Sequence, residues 1–198
     1  MSTTTTPRPA VPEDAPALGD LLARAFHDDP MMGFFFPEGP GRQASLARYF
    51  TTIFARQYVR HGRCERTGSA AAFWVPAEDQ DKAVPDIDTI RELQAILGER
   101  AELFGDAVEA AARHTPAQPH WSLALIGVDP AAQGRGEGAA LLRSGLAAAD
   151  AAGMPVHLES SKESNLPVYE HFGFTVREEL KLPGGGPLLW TMWRPATA

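Results

Sequence analysis

Residues 125–138 read LIGVDPAAQGRGEG: an apolar run ends at Val128, and glycines then alternate at positions 134, 136 and 138. Apolar residues on both faces of residues 120–128 predict a buried central strand. An alanine- and leucine-rich helix is predicted from Gly136 to Ala152. Glycines let a backbone approach an anion closely, and a helix N-terminus offers unpaired N–H groups with a favourable dipole. The stretch therefore predicts a strand, a phosphate-binding loop to which Arg135 adds a positive charge, and a helix.

The flanking sequence predicts how this unit is built into a sheet. A strand over residues 155–160 follows the helix, and a strand–helix–strand unit with one short crossover is parallel and right-handed. Antiparallel hairpins are predicted on both sides of it, around Gly68-Ser69 and across residues 183–187. The expected fold class is α/β (α+β), with a central mixed sheet flanked by helices. Further helices are predicted over residues 12–26, 42–60, 165–172 and, twice, within 77–113, and a loop rich in proline, glycine and aromatic residues over 28–41.

Length and composition disfavour several classes of protein. The 198 residues fit a single domain, 1–198, whose first six residues we expect to form a disordered lead. The net charge of −7 contains no basic run, and no apolar stretch approaches the roughly 20 residues that span a bilayer. The single cysteine, Cys64, suits a reducing cytoplasm, and the histidines lack metal-ligand spacing. We expect a cytoplasmic monomer or homodimer with no metal and no nucleic-acid or membrane partner.

The glycine loop also matches a dinucleotide-binding pattern. Gly134 to Ala139 fit G-x-G-x-x-A, and Glu159 lies about 20 residues further on, where an acid would bind a ribose. Two observations weigh against a nicotinamide cofactor. Asp129 to Gln133 separate the strand from the first glycine, and too little chain follows Glu159 for the second half of a doubly wound sheet. A P-loop is excluded because no Gly-Lys-Ser/Thr follows.

Two motifs together resemble those of the GNAT acetyltransferases. The segment from Leu125 to Leu142 is similar to the family's acetyl-CoA signature, Q/R-x-x-G-x-G/A preceded by V-x-P, and residues 165–174 read NLPVYEHFGF, a second landmark of the family. The resemblance extends to puromycin N-acetyltransferase and its relatives through Trp121, residues 158–161 and residues 173–176. It implies the GNAT fold, a mostly antiparallel mixed sheet in which two central parallel strands splay apart, and an acetyl-CoA-binding core over residues 120–174.

The resemblance also implies which residues bind acetyl-CoA. Main-chain groups of Ile126 and Val128 would hold the pantetheine arm, and an N–H group at or near Val128 would stabilise the oxyanion, a contribution of about 3 kcal/mol per donor. Asn165 has two compatible roles, as a pantetheine contact and as a helix N-cap. The implied set is Ile126, Gly127, Val128, Gln133, Gly134, Arg135, Gly136, Glu137, Gly138, Asn165 and Tyr169.

Two residues are candidates for proton transfer. Tyr169 occupies the family's general-acid position, and a phenol with a pKa near ~10 can protonate a coenzyme A thiolate. Helical spacing places Val168 and Phe172 on the core side and Tyr169 at its margin. Glu159, near the carboxyl end of the second parallel strand, is the candidate base for the amine, acting directly or through water, or as a substrate anchor only. His120 and His157 are expected to be structural.

The loop over residues 28–41 is the expected acceptor region. Phe34, Phe35 and Phe36 could pack against an apolar substrate while Asp28 or Asp29 attracts its amine, or the same aromatics could form a hydrophobic plug. We therefore expect an acetyl-CoA-dependent N-acetyltransferase that modifies a small-molecule amine, with antibiotic resistance as one role, by direct attack in a ternary complex. The alternatives are a protein lysine or N-terminal acetyltransferase and a non-catalytic acyl-CoA-binding sensor.

Overall fold

The computed structural model describes residues 6–197, so the predicted disordered lead lies outside the described residues except for Thr6. Within this range, seven strands form one sheet in the order β1-β2-β3-β4-β5-β7-β6. β4 and β5 are parallel, and every other neighbouring pair is antiparallel. The predicted mixed, mostly antiparallel sheet is therefore confirmed. The strands are β1 (Arg8–Pro9), β2 (Arg63–Arg66), β3 (Ala70–Val75), β4 (Trp121–Val128), β5 (Val156–Ser160), β6 (Thr175–Lys181) and β7 (Leu188–Arg194).

Eight α-helices accompany the sheet in the described part of the chain. They are α1 (Ala15–Ala25), α2 (Pro30–Phe35), α3 (Arg42–Ile53), α4 (Val59–His61), α5 (Ile87–Leu97), α6 (Ala101–Ala112), α7 (Glu137–Ala151) and α8 (Leu166–His171). Short 3₁₀ turns lie at Pro12–Asp14, Ala77–Asp79, Gly98–Arg100, Pro130–Ala132 and Glu163–Asn165. None of the helices within residues 6–197 has the length and apolarity that crossing a membrane requires.

Two helical regions differ from the sequence prediction. The predicted loop over residues 28–41 contains α2, which Asp29 caps by accepting a 2.9 Å hydrogen bond from the Met32 N–H group, with Pro30 in the first turn. The predicted helix over residues 42–60 does not continue as a regular α-helix. It changes at Phe54–Tyr58 to a π-helical stretch, a feature found mostly as a short insertion in an α-helix and frequent at functional sites.

The sheet is covered on both faces, and the sequence of β3 shows why. Ala71 and Phe73 face the core formed with α1 and α3, to which α5 and α6 also contribute, whereas Ala72 and Trp74 face the core formed with α7. Successive side chains of a strand point to opposite faces, so a strand covered on both sides is continuously apolar. All six residues of β3 are accordingly buried.

The two parallel strands separate before they end. β4 and β5 are paired only at three positions, the last of which is Leu123 with Leu158, although β4 continues to Val128. β4 stays paired with β3 as far as Val128, and β5 stays paired with β7 as far as Ser160. A register shift makes Ala124 an extra residue opposite β3, and such a bulge increases local twist where the strands part. The predicted splay is confirmed, and it opens a gap in the middle of the sheet.

Candidate active site

A cleft of about 490 Å³ occupies the gap between the separated strands. It extends from the end of β4, past the glycine loop and the start of α7, to α8 and the segment before it. The structure brings together at its wall every residue of the predicted cofactor set except Arg135: Ile126, Gly127, Val128, Gln133, Gly134, Gly136, Glu137, Gly138, Asn165 and Tyr169.

The glycine loop leads directly into helix α7. Gly134 and Gly136 have φ values of 78° and 83°, in the left-handed region that favours glycine, and Gly136 is the N-cap of α7. The first N–H groups of this 15-residue helix have no intrahelical partner. A Cβ atom at Gly138 would lie 3.0 Å from Val128 Cγ2, so the absence of a side chain lets the helix start close to β4. The loop thus combines free N–H donors with a helix dipole at the cleft.

The two charged residues of this loop differ in their position. Arg135 donates a 3.1 Å hydrogen bond to the Ala131 carbonyl and does not line the cleft, so its contact with a cofactor stays a prediction. The Glu137 carboxylate is buried and accepts hydrogen bonds from the Thr67 hydroxyl and, at 3.0 Å, from the Ser69 N–H group. These hydrogen bonds connect the start of α7 to the β2–β3 turn. Because the carboxylate is used in this way, only the main chain of Glu137 is available to a ligand.

Lys162, which was not among the predicted site residues, supplies a positive charge at the cleft. It is half-buried in the segment between β5 and α8, and it lines the cleft together with Asn165. Asn165 is exposed, and its side chain makes no capping hydrogen bond to α8, so the predicted N-cap role is wrong. The residue precedes α8 in helical backbone geometry, which differs from the extended geometry of a capping residue.

Tyr169 is buried and lines the cleft. Its ring packs edge-on against Phe174 at 6.1 Å, and burial, reinforced by the charge of Asp29, raises the pKa of the phenol to about 12. A phenol with this pKa is protonated at neutral pH and can donate a hydrogen bond or a proton. The prediction that Val168 lies on the core side of α8 and Tyr169 at its margin was wrong. Val168 is 50% exposed, whereas Tyr169 is 8% exposed. In a six-residue helix, the neighbouring strands determine the buried face more than helical spacing does.

A second cavity of about 200 Å³ adjoins the cleft on the side of α2 and α3. Its walls are mainly aromatic and aliphatic, with the side chains of Tyr49, Phe50 and Tyr58 among them. The three phenylalanines that we predicted to contact the acceptor do not line this cavity. Phe35 and Phe36 are buried in the core. Phe34 packs against Arg100, with 5.5 Å between its ring centroid and the guanidinium carbon. Five residues line both cavities and mark their junction: Phe26, Asp29, Ile126, Asn165 and Tyr169.

Glu159 lies in the second cavity and does not line the first. Its surface is open to the cavity, but the surrounding protein desolvates the carboxylate and raises its pKa, an effect that nearby His114 partly opposes. The pKa of Tyr58 is raised to about 12 by burial and by the charges of Cys64 and Glu159. A carboxylate with a raised pKa is a stronger base than an exposed one. This environment is compatible with the predicted role of Glu159.

His120 and His157 lie at the other end of the parallel strands. Their rings are 5.5 Å apart, both are buried, and neither lines either cavity. Burial, together with the neighbouring charges of His120 and Arg177, lowers the pKa of His157 to about 4. The pair therefore stands apart from the candidate active site.

Four residues near the cavities were missing from the predicted catalytic and cofactor residues: Asp29, Tyr58, His114 and Lys162. The Asp-Pro pair at Asp29 is a recognisable helix start. For this loop we predicted only that either Asp28 or Asp29 attracts the acceptor amine. Tyr58 depends on the π-helical stretch, and His114 approaches Glu159 from a loop 45 positions away in the chain. No local pattern indicates either of these long-range placements.

Comparisons with known proteins agree with this geometry. Residues 94–176 match the family model described as an acetyltransferase (GNAT) domain. An uncharacterised N-acetyltransferase of Schizosaccharomyces pombe is 39% identical over 62 residues, which are 31% of this chain and 25% of the relative. The match thus spans about a quarter of that curated relative.

Solved structures are similar over the whole chain. A Corynebacterium glutamicum protein described as histone acetyltransferase HPA2 and related acetyltransferase is 27% identical, with a TM-score of 0.77 over 100% of this chain and 98% of the other. Arylalkylamine N-acetyltransferase 2 of Aedes aegypti, 12% identical, shares the fold with a TM-score of 0.62 over 98% of this chain and 100% of the other. Fold, splayed strands and family model agree: this chain has the GNAT fold, and its residues 94–176 match the GNAT acetyltransferase domain.

Proposed function

We propose that this chain is an acetyl-CoA-dependent N-acetyltransferase that acetylates the amine of a small molecule by direct attack in a ternary complex. The observation that carries the proposal is the meeting of two cavities at Tyr169, in the gap between the splayed strands. The larger cavity would hold the cofactor, and the smaller, mainly apolar one would hold the acceptor. A sensor that only binds acyl-CoA has no need of the second cavity or of Glu159 within it.

The larger cleft fits coenzyme A chemically. The glycine loop and the start of α7 offer N–H donors to a pyrophosphate, and Lys162 adds a cation. The end of β4 beyond Leu123 has no strand partner on the β5 side, so its main chain is available to the amide groups of a pantetheine arm. The bound cofactor would supply an acetyl group activated as a thioester.

The residues of the chain would then move the protons. Glu159 would accept a proton from the acceptor amine, directly or through water, or would serve as an anchor for its charge. The Tyr169 hydroxyl would donate a proton to the departing thiolate, for which its raised pKa keeps it protonated. An N–H group at or near Val128 would stabilise the oxyanion.

The size of the acceptor cavity bears on the kind of substrate. Pockets for drug-sized ligands have volumes of about 300–1,000 Å³, and the cavity here has about 200 Å³. A compact amine would fill a cavity of this size, which supports a small-molecule acceptor. A larger acceptor would place only its amine-bearing end in the cavity. For such acceptors the proposed role is antibiotic self-protection, as in the puromycin N-acetyltransferases. The proposed compartment is the cytoplasm, which the buried free thiol of Cys64 suits.

The test is a free-thiol release assay with acetyl-CoA against a panel of amines that includes puromycin, run beside calorimetric binding of coenzyme A and NAD. We expect thiol release with at least one small amine and binding of coenzyme A but not NAD. Binding of coenzyme A without thiol release from any amine would favour the sensor. Binding of NAD without coenzyme A would overturn the proposal altogether.

A further inference from the structure

Asp29 lies at the junction of the two cavities. It lines both cavities, as Tyr169 does, whereas Glu159 lines only the acceptor cavity. The charge of Asp29 contributes to the raised pKa of Tyr169, so the two groups are electrostatic neighbours. An acceptor amine that attacks a thioester beside Tyr169 would therefore pass Asp29.

Two hydrogen bonds hold the Asp29 carboxylate in place. One oxygen accepts a 2.9 Å bond from the Met32 N–H group at the start of α2, and the other accepts a 2.5 Å bond from the Ser161 hydroxyl, just after β5. These contacts join segments that are 132 positions apart in the chain. The carboxylate is thus oriented before any ligand arrives, which reduces the entropy lost on binding.

No basic side chain pairs with this carboxylate among residues 6–197. The ion pairs of the described residues involve other acids, such as Asp14 with Arg8 and Arg66, and Asp129 with Arg24. A half-buried carboxylate whose donors are neutral keeps an uncompensated charge, and a cation at the junction of the cavities would balance it.

The cavity behind Asp29 determines what the cation is attached to. Its volume is about 200 Å³, and most of the residues in its walls are aliphatic or aromatic, such as Met31, Phe50 and Leu189. The polar part of the wall consists of Asp29, Glu159, Ser160, Ser161 and Asn165. A body that fills this space must be small, and an apolar body suits the aliphatic and aromatic part of the wall, because a polar group placed against it would lose hydrogen bonds to water.

From this arrangement we propose that Asp29 binds the ammonium group of the acceptor, and that the acceptor is a compact primary amine with an apolar body, such as an arylalkylamine. The inference rests on the proposed N-acetyltransferase function. Asp29 would hold the amine at the junction, the apolar body would fill the acceptor cavity, and Glu159 would remain the base or second anchor from within that cavity.

The variant Asp29→Asn tests the charge with little structural change. Asparagine is as good a helix N-cap as aspartate, and its amide can still bond to Met32 and Ser161. With 2-phenylethylamine as the probe, we expect KM to rise about 10- to 100-fold, as the loss of a charged hydrogen bond predicts. The affinity for coenzyme A should stay within a factor of about two, since Asp29 carries no phosphate contact in the proposal. Asp20→Asn, which removes an exposed charge on α1, is the matched control and should keep the wild-type KM.

A neutral analogue separates a charge contact from a purely structural role. 2-Phenylethanol has the same body without the ammonium group, so its inhibition constant should be nearly the same in wild type and Asp29→Asn. Equal weakening of amine and alcohol, or an unchanged KM for the amine, would overturn the role of Asp29. If the wild type releases thiol with other amines but not with compact apolar ones, the substrate class is wrong while the proposed function stands. If no amine releases thiol, the proposed function itself fails.

Discussion

At the scale of single residues, Tyr169 gives the most direct test of the chemistry. Replacing it by phenylalanine removes the hydroxyl and keeps the ring that packs on Phe174. We expect kcat to fall about 10²- to 10⁴-fold, the usual contribution of a positioned acid. The dissociation constant of acetyl-CoA should change far less, because the ring still closes the cleft. Thiol release measures kcat, and calorimetry measures the dissociation constant of acetyl-CoA. An unchanged kcat would show that Tyr169 is not the acid.

His157 predicts how stability depends on pH. The ring has a pKa of about 4 in the folded protein, against 6.5 for an unperturbed histidine. Between these values the unfolded chain binds more protons, so the free energy of unfolding falls as the pH drops from 6.5 towards 4. At about 1.4 kcal/mol per pKa unit, the loss is on the order of 3 kcal/mol at most.

Urea unfolding at several pH values measures this dependence. His157→Gln should flatten the decline between pH 6.5 and 4, whereas the exposed control His171→Gln should keep the wild-type slope. A slope that is the same in wild type and His157→Gln would show that His157 does not carry the acid sensitivity.

What the sequence could predict at this scale depends on whether the signal is local. Tyr169 and the cofactor loop lie in continuous motifs, and the structure brings them together in one cleft. Tyr58 and His114 approach Glu159 only through the folding of distant segments, so no spacing along the chain reveals them. The predicted N-cap of Asn165 was wrong because a 3₁₀ turn precedes α8 and leaves Asn165 in helical geometry.

At the scale of elements, the packing of α7 on β3 can be tested with a pair of glycines. A Cβ atom at Gly145 would come within 2.0 Å of the Trp74 ring, which is fully buried. We therefore expect Gly145→Ala to destabilise the protein by about 1–3 kcal/mol, as overpacking of a core does. Gly105, within α6, has open space around its Cβ position, so Gly105→Ala should be neutral or stabilising by up to about 1 kcal/mol.

Chemical denaturation of both variants measures the difference. The two substitutions are chemically identical and both lie within helices, so their contrast isolates the contact with Trp74. Equal stability of the two variants would mean that α7 can move away from β3 at little cost.

The cofactor loop allows a second matched pair. Gly136 and Gly185 have φ values of 83° and 75°, and neither has atoms near its Cβ position. Alanine at either site should cost about 1–2 kcal/mol of stability, because a side chain disfavours this backbone geometry. Only Gly136→Ala should also weaken coenzyme A binding, since Gly136 lines the cleft and Gly185 lies in the β6–β7 turn. Calorimetry measures the affinity of each variant for coenzyme A. Equal affinities of the two variants would indicate that the loop is not the phosphate site.

The sequence predicted the long helices and strands correctly, but not the short or irregular ones. β4 and α7 begin and end within one residue of the predicted positions, because their apolar patterns extend over six residues or more. The two residues of β1 and the six of α2 are too few to show a period. The π-helical stretch depends on how the end of α3 packs, which no propensity encodes.

At the scale of the whole molecule, the order of strands is the part that the sequence left undetermined. Residues 174–193 predicted a hairpin, and its two strands indeed pair. The structure inserts β7 between β5 and β6, so the last strand of the chain lies next to the parallel pair. Either strand of a hairpin could take that place according to local pattern alone. The apolar residues of β7, buried along most of its length, favour the inner position over the mainly exposed β6.

This strand order divides the sheet into two antiparallel halves, β1–β4 and β5–β7. The halves are joined only by the three paired positions between β4 and β5. A ligand in the cleft would contact both halves, because β4 and the glycine loop lie on one side and the segment from Lys162 to Tyr169 on the other. Binding to the folded state alone stabilises a protein, by about 2.7 kcal/mol at a ligand concentration of 100 times Kd. We therefore expect acetyl-CoA to raise the unfolding free energy by this amount and to slow amide exchange at Ile126 and Val128. NAD at the same concentration should do neither, and stabilisation by NAD alone would restore the dinucleotide alternative that the spacing of the glycines left open.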